Sequence, residues 1–337
     1  MGDRAGGIEI ISTCPQSSDH TAADYPRRVA EVARWSEQHG CTGTLVYTDN
    51  RLVDPWLVAQ LVVQSTERLC PLVAVQPVYM HPYSVAKMVA SIGHLHGRRV
   101  DLNLVAGGFK PDLDALADAA PHDARYERLV EYGSIVQQLL SGAPVTYSGA
   151  FYRVRHLRLS PSLPKGVHPW LFVSGSSEAG LAASRALGAK PVMYPKPPGE
   201  DPGAPKVGAP AGVRVGIVAR ATEEEAWSAA RARFPGDRKG QIAHELAMKA
   251  SDSSWHRQLS RLAEQDGPEQ SPYWLVPFQN YKTFCPYLVG SHAAVARELS
   301  RYIDLGYRTF LIDIPASEEE LSHIGVAFRM AQQGTPC

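Results

Sequence analysis

The sequence feature that most constrains the fold is a regular alternation of short apolar runs with amphipathic helical stretches. The run Gly7 to Thr13 (GIEIIST) is followed by a helical pattern from Tyr25 to His39, which places Val29 and Val32 on one face and stops at Gly40. Such alternation is typical of parallel βα units, in which each helix returns the chain so that the next strand runs beside the last. The pattern therefore predicts an α/β fold.

Seven further runs have the same short, apolar character as the first. They are Gly43 to Tyr47, Cys70 to Gln76, Arg99 to Val105, Trp170 to Ser174, Lys190 to Tyr194, Val213 to Arg220 and Thr309 to Ile314. Eight strands match a closed (β/α)8 TIM barrel, and 337 residues suit one such barrel with insertions. The alternative is an open doubly wound sheet, but no GxGxxG motif closes the first strand, so the dinucleotide-binding version of that fold loses its main support.

Three stretches depart from the repeat, and we predict a single domain over residues 1–337 that carries them as insertions. They lie at about 142–168, 195–211 and 235–287. The first has alternating residues with turn chemistry, which predicts a small antiparallel excursion. The second falls in Pro191 to Pro210, where seven prolines are too many for a helix interior, so the helix expected after the sixth strand is missing. The third has a helical pattern at about Gln241 to Leu262 and is a candidate lid.

Charge and cysteine content narrow the class of partner. Lys+Arg and Asp+Glu both number 34, so the chain has no broad positive field for nucleic acid or an anionic membrane. The five cysteines are scattered without zinc-ligand spacing, and the longest apolar runs are too short to cross a bilayer. We therefore predict a cytoplasmic protein that handles a small molecule, with no nucleic-acid or membrane partner.

Metal and acyl-transfer chemistry find little support in the sequence. His94 and His96 could be imagined as metal ligands together with His81, but on a helix they point in different directions, and no nearby carboxylate completes a site. We therefore predict no metal, and the absence of a GxSxG elbow argues against acyl transfer. His81 remains a candidate general acid or base, because His81-Pro82 lies just beyond the third strand, at the face where barrel active sites are built.

Two helix starts carry groups suited to an anion such as phosphate. Ser174, Ser176 and Ser177 lie in a Ser/Gly turn that leaves the fifth strand and opens a helix, where N–H groups and hydroxyls can hold a phosphate. The alternative is that Ser176 or Ser177 is only the N-cap of that helix.

The helix after the fourth strand begins with His122, Arg125 and Tyr126, which are hydrogen-bond donors near a barrel mouth. The alternative is a solvated first turn capped by Asp123. Asn103, near the end of the fourth strand and before a Gly-Gly pair, can present its amide inward where glycines let a flat ring approach.

Together these segments resemble the bacterial luciferase-like flavin monooxygenases, particularly the alkanesulfonate monooxygenase branch. The similar segments are Asp54 to Ala59, Asp101 to Gly107, His122 to Glu127, Ser174 to Ser177 and Tyr287 to Gly290, in the same order over nearly the whole chain. The resemblance implies a (β/α)8 barrel that binds reduced FMN at its C-terminal face. It also implies a monooxygenase that uses O2 on a small organic substrate and receives its flavin from a separate NAD(P)H-dependent reductase. We expect a homodimer or homotetramer.

The same resemblance implies roles for individual residues. Asn103 would face the isoalloxazine ring. The ribityl chain and phosphate would be surrounded by His122, Tyr126, Ser176 and Ser177. Arg125 and Ser174, whose donors suit a phosphate, complete the predicted cofactor-binding set.

The pocket departs from the alkanesulfonate branch at three positions. Leu52 stands where those enzymes carry a cysteine, Gly216 where they carry a histidine two residues after an arginine, here Arg214, and Ile314 near their tyrosine, with Asp313 beside it. A less polar pocket makes a simple alkanesulfonate an unexpected substrate. Arg214 is predicted to anchor a substrate anion or to stabilise the flavin peroxide that reduced flavin forms with O2. The predicted apolar wall consists of Leu52, Trp56, Val78 and Ile314.

Two alternative functions stay open. One is an F420-dependent oxidoreductase of the same superfamily, which transfers hydride without oxygen. The other is a non-catalytic flavin-binding subunit that stabilises an active homologue, since three polar pocket residues are lost.

The position of Arg214 poses a conflict. The strand prediction puts Arg214 near the start of the seventh strand, the wrong end of the barrel, whereas the resemblance puts it in the active site. We therefore expect that this strand begins earlier or is interrupted.

Overall fold

The computed structural model describes residues 7–206, 208–250, 254–265 and 271–333. The strands are β1 Glu9–Thr13, β2 Gly43–Val46, β3 Cys70–Val75, β4 Asp101–Leu104, β5 Val145–Ser148, β6 Arg153–Leu157, β7 Leu171–Ser174, β8 Lys190–Met193, β9 Gly212–Arg220, β10 Tyr273–Trp274, β11 Tyr287–Ser291 and β12 Thr309–Ile312. The helices are α1 Tyr25–Gln38, α2 Pro55–Ser65, α3 Pro82–His96, α4 Lys110–Ala115, α5 His122–Leu140, α6 Glu178–Leu187, α7 Glu223–Arg233, α8 Arg238–Ala250, α9 Ser254–Gln265, α10 Val276–Gln279, α11 His292–Asp304 and α12 Glu318–Gln333.

Eight of these strands close into a parallel barrel in the order β1-β2-β3-β4-β7-β8-β9-β12. The ring closes where β12 pairs with β1 and where β8 pairs with β9. The predicted (β/α)8 TIM barrel is therefore confirmed. One cluster of buried side chains draws a residue from each of six barrel strands, and it consists of Ile11, Leu45, Leu72, Phe172, Val192 and Leu311.

Helix starts show why the chain turns where it does. The Thr222 hydroxyl accepts a hydrogen bond from the Glu225 N–H, and the Glu225 carboxylate accepts one from the Thr222 N–H, so α7 begins with a complete capping box. Pro55 and Pro82 stand at the first position of α2 and α3, where a missing N–H costs nothing. These local signals place each helix directly after the loop at the carboxyl end of a strand.

The structure describes residues in all three predicted insertions, and the first and third contain helices or strands. The first contains the antiparallel pair β5 and β6, as predicted. The described residues between β8 and β9 form no helix or strand, in agreement with the proline count. The single helix predicted at Gln241 to Leu262 is wrong, because α8 and α9 are separate helices. The rings of His244 in α8 and His256 in α9 lie 5.3 Å apart, whereas twelve residues of one continuous helix would span about 18 Å. Residues 251–253 themselves lie outside the described part of the chain.

The strand β9 is nine residues long and extends beyond the barrel. Gly212 to Val215 pair with β12, and Gly216 to Arg220 pair with β11, a strand that the sequence analysis did not predict. Val192, the third residue of β8, pairs with Gly212, the first residue of β9. Neighbouring strands of a barrel are staggered in this way, so β9 starts close to the C-terminal face.

None of the helices in the described ranges is long and apolar enough to cross a membrane. Cys14, Cys41, Cys70 and Cys285 are buried and form no disulfide, whereas Cys337 lies outside the described residues.

Candidate active site

A cavity of about 300 Å³ opens at the carboxyl ends of the barrel strands. It is lined by pairs of residues two positions apart on successive strands, namely Leu45 and Tyr47, Ala74 and Gln76, and Asn103 and Val105. Alternate residues of a strand point to the same face, so these pairs are the inward positions at the strand ends. The carboxyl ends of the strands are where TIM barrels build their active sites. The cavity is therefore the candidate active site.

Asn103 presents an oriented amide to this cavity. The Ser174 hydroxyl donates a hydrogen bond of 2.9 Å to Asn103 Oδ1, and Asn103 is 4% exposed. No partner for Asn103 Nδ2 is found within the described part of the chain. Because Ser174 occupies the oxygen side of the amide, the two Nδ2 hydrogens remain for a group bound in the cavity. The sequence-predicted residues Asn103 and Ser174 are thus brought together.

His122 and Tyr126 reach the same cavity from the first turns of α5. Their rings lie 5.2 Å apart, and His122 Nδ1 is 2.7 Å from Asp123 Oδ1. Gly175 has a φ of +146°, and a Cβ there would overlap the Tyr126 hydroxyl. Glycine at 175 therefore lets the Tyr126 side chain cross over the loop between β7 and α6.

The other predicted phosphate residues lie behind the cavity wall. The Ser177 hydroxyl accepts a hydrogen bond of 3.1 Å from the Gly180 N–H, so Ser177 is the N-cap of α6. Arg125 is buried and donates to the Ala120 carbonyl over 2.9 Å. Ser176 is half-buried next to Gly175, which lines the cavity. The N-terminus of α6 therefore approaches the cavity, while Ser177 and Arg125 have structural contacts of their own.

Arg214 lines the cavity, although it is the third residue of β9. The strand is continuous and begins one residue earlier than predicted, so neither an interruption nor a long extension is needed. The stagger of the barrel resolves the conflict, because the start of β9 is level with the later residues of β8. The Arg214 guanidinium lies 4.8 Å from the centre of the Tyr47 ring, a cation–π contact.

A group of polar residues lies directly behind Arg214. Asp313 Oδ1 is 3.7 Å from Arg214 Nη2, and Asp313 Oδ2 accepts hydrogen bonds from the hydroxyls of Thr283 and Tyr287, at 2.6 and 2.8 Å. Burial raises the pKa of Tyr287 well above its ordinary value, so Tyr287 remains a donor. Burial also raises the pKa of the nearby Cys285 thiol to about 12, so it stays uncharged.

The predicted apolar wall is only partly in the cavity. Leu52 and Val78 line it. Trp56, 2% exposed, instead packs into the core between the barrel and its helices, and Ile314 offers its carbonyl to Arg233 over 2.6 Å. His81 is exposed outside the cavity, where its Nδ1 accepts from the Tyr83 N–H over 3.2 Å and caps α3.

Several cavity residues were missed by sequence reasoning. Tyr47 and Gln76 could have been found, because each lies two residues beyond an inward position at the end of a strand. Tyr194 and Phe284 also line the cavity, and Tyr287 reaches Asp313 from the strand β11. Tyr194 has the same signal, because it lies two residues beyond the inward Val192. Phe284 and Tyr287 have no spacing signal, since their contacts depend on how distant segments pack.

The geometry defines an enzyme-like site, in which a barrel holds an oriented amide, a buried cation and apolar walls around a cavity of small-molecule size. Residues 9–309 match the family model described as luciferase-like monooxygenase. The chain is also 34% identical over 308 residues to 4-(gamma-L-glutamylamino)butanoyl-[BtrI acyl-carrier protein] monooxygenase of Niallia circulans, covering 89% of this chain and 90% of that protein. The chain therefore belongs to the luciferase-like monooxygenase family, as the resemblance predicted.

Solved structures agree on the fold. EDTA monooxygenase from Chelativorans sp. BNC1 superposes with a TM-score of 0.74 at 16% identity, covering 97% of this chain and 94% of that one. An F420-dependent secondary alcohol dehydrogenase superposes with a TM-score of 0.67 at 13% identity, covering 96% and 99%. At such low identity the likeness shows the fold alone. The relatives together support an oxidoreductase of the monooxygenase kind.

Proposed function

We propose that this chain is a two-component monooxygenase that uses reduced FMN and O2 to insert one oxygen atom into a small organic substrate. A separate NAD(P)H-dependent flavin reductase would supply the reduced flavin. The observation that carries the proposal is the Asn103 amide, whose orientation is set by Ser174 and whose Nδ2 is left for a cavity ligand. A ring with carbonyl and nitrogen acceptors at its edge, such as isoalloxazine, suits that donor.

The residues present fit FMN at this face. Asn103 would contact the ring, and His122, Tyr126 and Ser174 would line the path of the ribityl chain. The phosphate would lie near Ser176 at the N-terminus of α6, where N–H groups and the helix dipole favour an anion. Ser177 and Arg125 would support this arrangement through the cap of α6 and the contact with Ala120.

When bound, the reduced flavin supplies the electrons and the reaction with O2. The protein holds the substrate against the ring and excludes water. Leu52, Val78 and Phe284 give the cavity apolar surface. Arg214 supplies the one buried cation among the described cavity residues, and it would donate to an oxygen atom of the substrate or of the reacting O2. His81 lies outside the cavity and has no place in this scheme.

Further elements of the proposal concern the setting of the site. The insertion that carries α8 and α9 would act as a lid, because the ring of Phe109 in the cavity wall packs 6.2 Å from that of His256 in α9.

The protein would be a cytoplasmic homodimer or homotetramer. Exposed Leu57, Met88 and Leu95 on α2 and α3 offer apolar surface for such an interface.

Binding of FMN, reduced FMN and F420, measured separately under anaerobic conditions, tests the cofactor. Reduced FMN binding no tighter than about 1 mM would contradict the proposal. Preferential binding of F420 would favour the hydride-transferring alternative, which the fold also accommodates.

Oxygen incorporation from labelled O2, with a flavin reductase and a substrate panel, tests the reaction. If turnover appears only when a homologous second subunit is added, the chain is the non-catalytic subunit.

A further inference from the structure

The Arg214 guanidinium has an unusual hydrogen-bond state for a buried cation. Arg214 is 5% exposed, and its Nε and Nη2 are fully buried with no hydrogen-bond partner among the described residues. Arg214 lines the cavity and also contacts the Cys285 thiol, so Nη1 would be the guanidinium nitrogen that a bound group meets. A substrate would therefore meet one or two N–H donors of Arg214 rather than a full bidentate fork.

The charge of Arg214 already has a partner on the side away from the cavity. The Asp313 carboxylate lies with Oδ1 at 3.7 Å from Nη2, and two hydroxyls, from Thr283 and Tyr287, hold Oδ2 in place. At Arg214, the cavity wall therefore presents an ion pair in which the Asp313 carboxylate offsets the positive charge of the guanidinium.

The nearby cation Arg233 does not replace Arg214 as the partner of Asp313. Arg233, which also lies near Asp313, makes two hydrogen bonds of 2.7 and 2.8 Å to the Glu320 carboxylate. Arg214 and Arg233 thus each lie against a different carboxylate, Asp313 and Glu320. At the cavity mouth, Arg51 pairs with Asp49 at 3.1 Å, and a further carboxylate, that of Asp112, lines the wall. Among the described residues, no excess positive charge faces a bound molecule.

This charge balance has a chemical consequence for the ligand. An anionic group placed against Arg214 would meet a cation that is already compensated and would be repelled by the Asp313 carboxylate a few ångströms behind it. It would also lose its own hydration without gaining a bidentate partner. A neutral carbonyl oxygen needs only an N–H donor, and Arg214 Nη1 supplies one.

We propose that Asp313 is a specificity-determining residue, which makes the Arg214 subsite select a neutral carbonyl group over a carboxylate or sulfonate. The substrate class is then an amide, ester, thioester or ketone. This inference rests on the proposed function, because it names the substrate class for the same cavity. It also explains how the arginine of the alkanesulfonate branch is retained here while the sulfonate preference is not expected.

Benzamide and benzoate test the proposal, because they have nearly the same shape and differ in charge. Their binding to the flavin-free chain is measured by calorimetry. The wild-type chain should bind benzamide about tenfold more tightly than benzoate. Arg214→Ala should weaken benzamide binding, which locates the probe at the subsite. Asp313→Asn, which keeps the shape and removes the charge, should raise benzoate affinity about tenfold, and Arg214→Ala in the same chain should abolish that gain.

Two control variants separate charge from packing. Tyr287→Phe removes one hydrogen bond to Asp313 but keeps its carboxylate, so the preference for benzamide should persist. Asp201→Asn alters another carboxylate that accepts a tyrosine hydroxyl, from Tyr307 at 2.9 Å, away from the cavity. It should leave both affinities unchanged.

Three results would overturn the proposal. They are Arg214-dependent binding of benzoate as tight as that of benzamide in the wild type, no gain of benzoate affinity in a folded Asp313→Asn chain, and no Arg214-dependent binding of either probe. If Asp313→Asn does not fold, the wild-type and Arg214→Ala titrations decide alone. No flavin is present, so the outcome is independent of whether the chain binds FMN or turns over.

Discussion

The ring of Tyr287 fills the space that a side chain at Gly216 would occupy. The two residues are partners in register on β11 and β9, and a Cβ built on Gly216 would overlap the ring carbons of Tyr287. The same tyrosine carries the hydroxyl that donates to Asp313 over 2.8 Å. The missing side chain at 216 and the fixed position of the Asp313 carboxylate are therefore linked through one residue.

Gly216→Ala should lower the free energy of unfolding by about 1–3 kcal/mol, because the new methyl group must displace a buried ring. Urea denaturation measures the change. Gly236→Ala is the matched control, since no atom of the described residues lies within 4 Å of a Cβ at that position. Tyr287→Leu in the Gly216→Ala chain should recover part of the loss. If Gly216→Ala is as stable as Gly236→Ala, the Tyr287 ring moves aside without a cost in stability, and positions 216 and 287 are not coupled.

Most of the barrel could be predicted from sequence because each of its strands is a local signal. A buried parallel strand is a short apolar run, and the caps and prolines at helix starts mark where it ends. The strand β11 was not predicted because its sequence, YLVGS, directly follows a long insertion, where the alternation of strands and helices is interrupted. The position of Arg214 was misjudged for a different reason, since counting along one strand does not reveal the stagger between strands.

The candidate site was predictable where strand ends carry polar residues. Asn103 and Ser174 fall at neighbouring strand ends, and parallel pairing brings those ends together. Arg125 and Ser177 were chosen for chemistry suited to phosphate, but the structure gives them a buried contact and a helix cap. Tyr287 came from a segment whose docking against Asp313 depends on tertiary packing, which no spacing encodes.

Asn103→Ala should weaken FMN binding about tenfold, because the ring would lose an oriented hydrogen-bond donor. Ser174→Ala should weaken it less, since the amide remains but loses the bond that orients it. Quenching of flavin fluorescence measures both. Ser36→Ala removes a buried hydroxyl that donates to the Val32 carbonyl in α1, far from the cavity, and should leave affinity unchanged. Equal affinity of Asn103→Ala and wild type would remove Asn103 from the flavin site.

Arg233→Ala should lower the free energy of unfolding by about 3–5 kcal/mol, because it leaves the Glu320 carboxylate buried without its cation. Glu320 is 3% exposed, and Arg233 also holds the Ile314 carbonyl. Arg27→Ala breaks ion pairs on the exposed face of α1 and should change stability little. A small effect of Arg233→Ala would contradict this prediction, because it would show that the buried Glu320 carboxylate does not depend on this cation.

Asp101 should make stability depend on pH in a direction opposite to most carboxylates. It is buried near the amino end of the barrel, where Oδ1 accepts the Trp170 N–H over 2.8 Å and lies 3.1 Å from Arg99 Nε. Burial raises the pKa of Asp101 to about 6, despite the opposing effect of Arg99. The folded chain therefore binds a proton at pH values where the unfolded chain does not, so the contribution of Asp101 to stability rises as pH falls through 6. Between pH 7 and 4.5 the gain is about 2 kcal/mol.

Asp101→Asn lacks this gain, so its stability relative to wild type should fall by that amount when urea denaturation is repeated at the lower pH. The other titrating groups are shared by both chains and cancel in the comparison. A difference between the two chains that stays constant from pH 7 to 4.5 would show that Asp101 keeps an ordinary pKa.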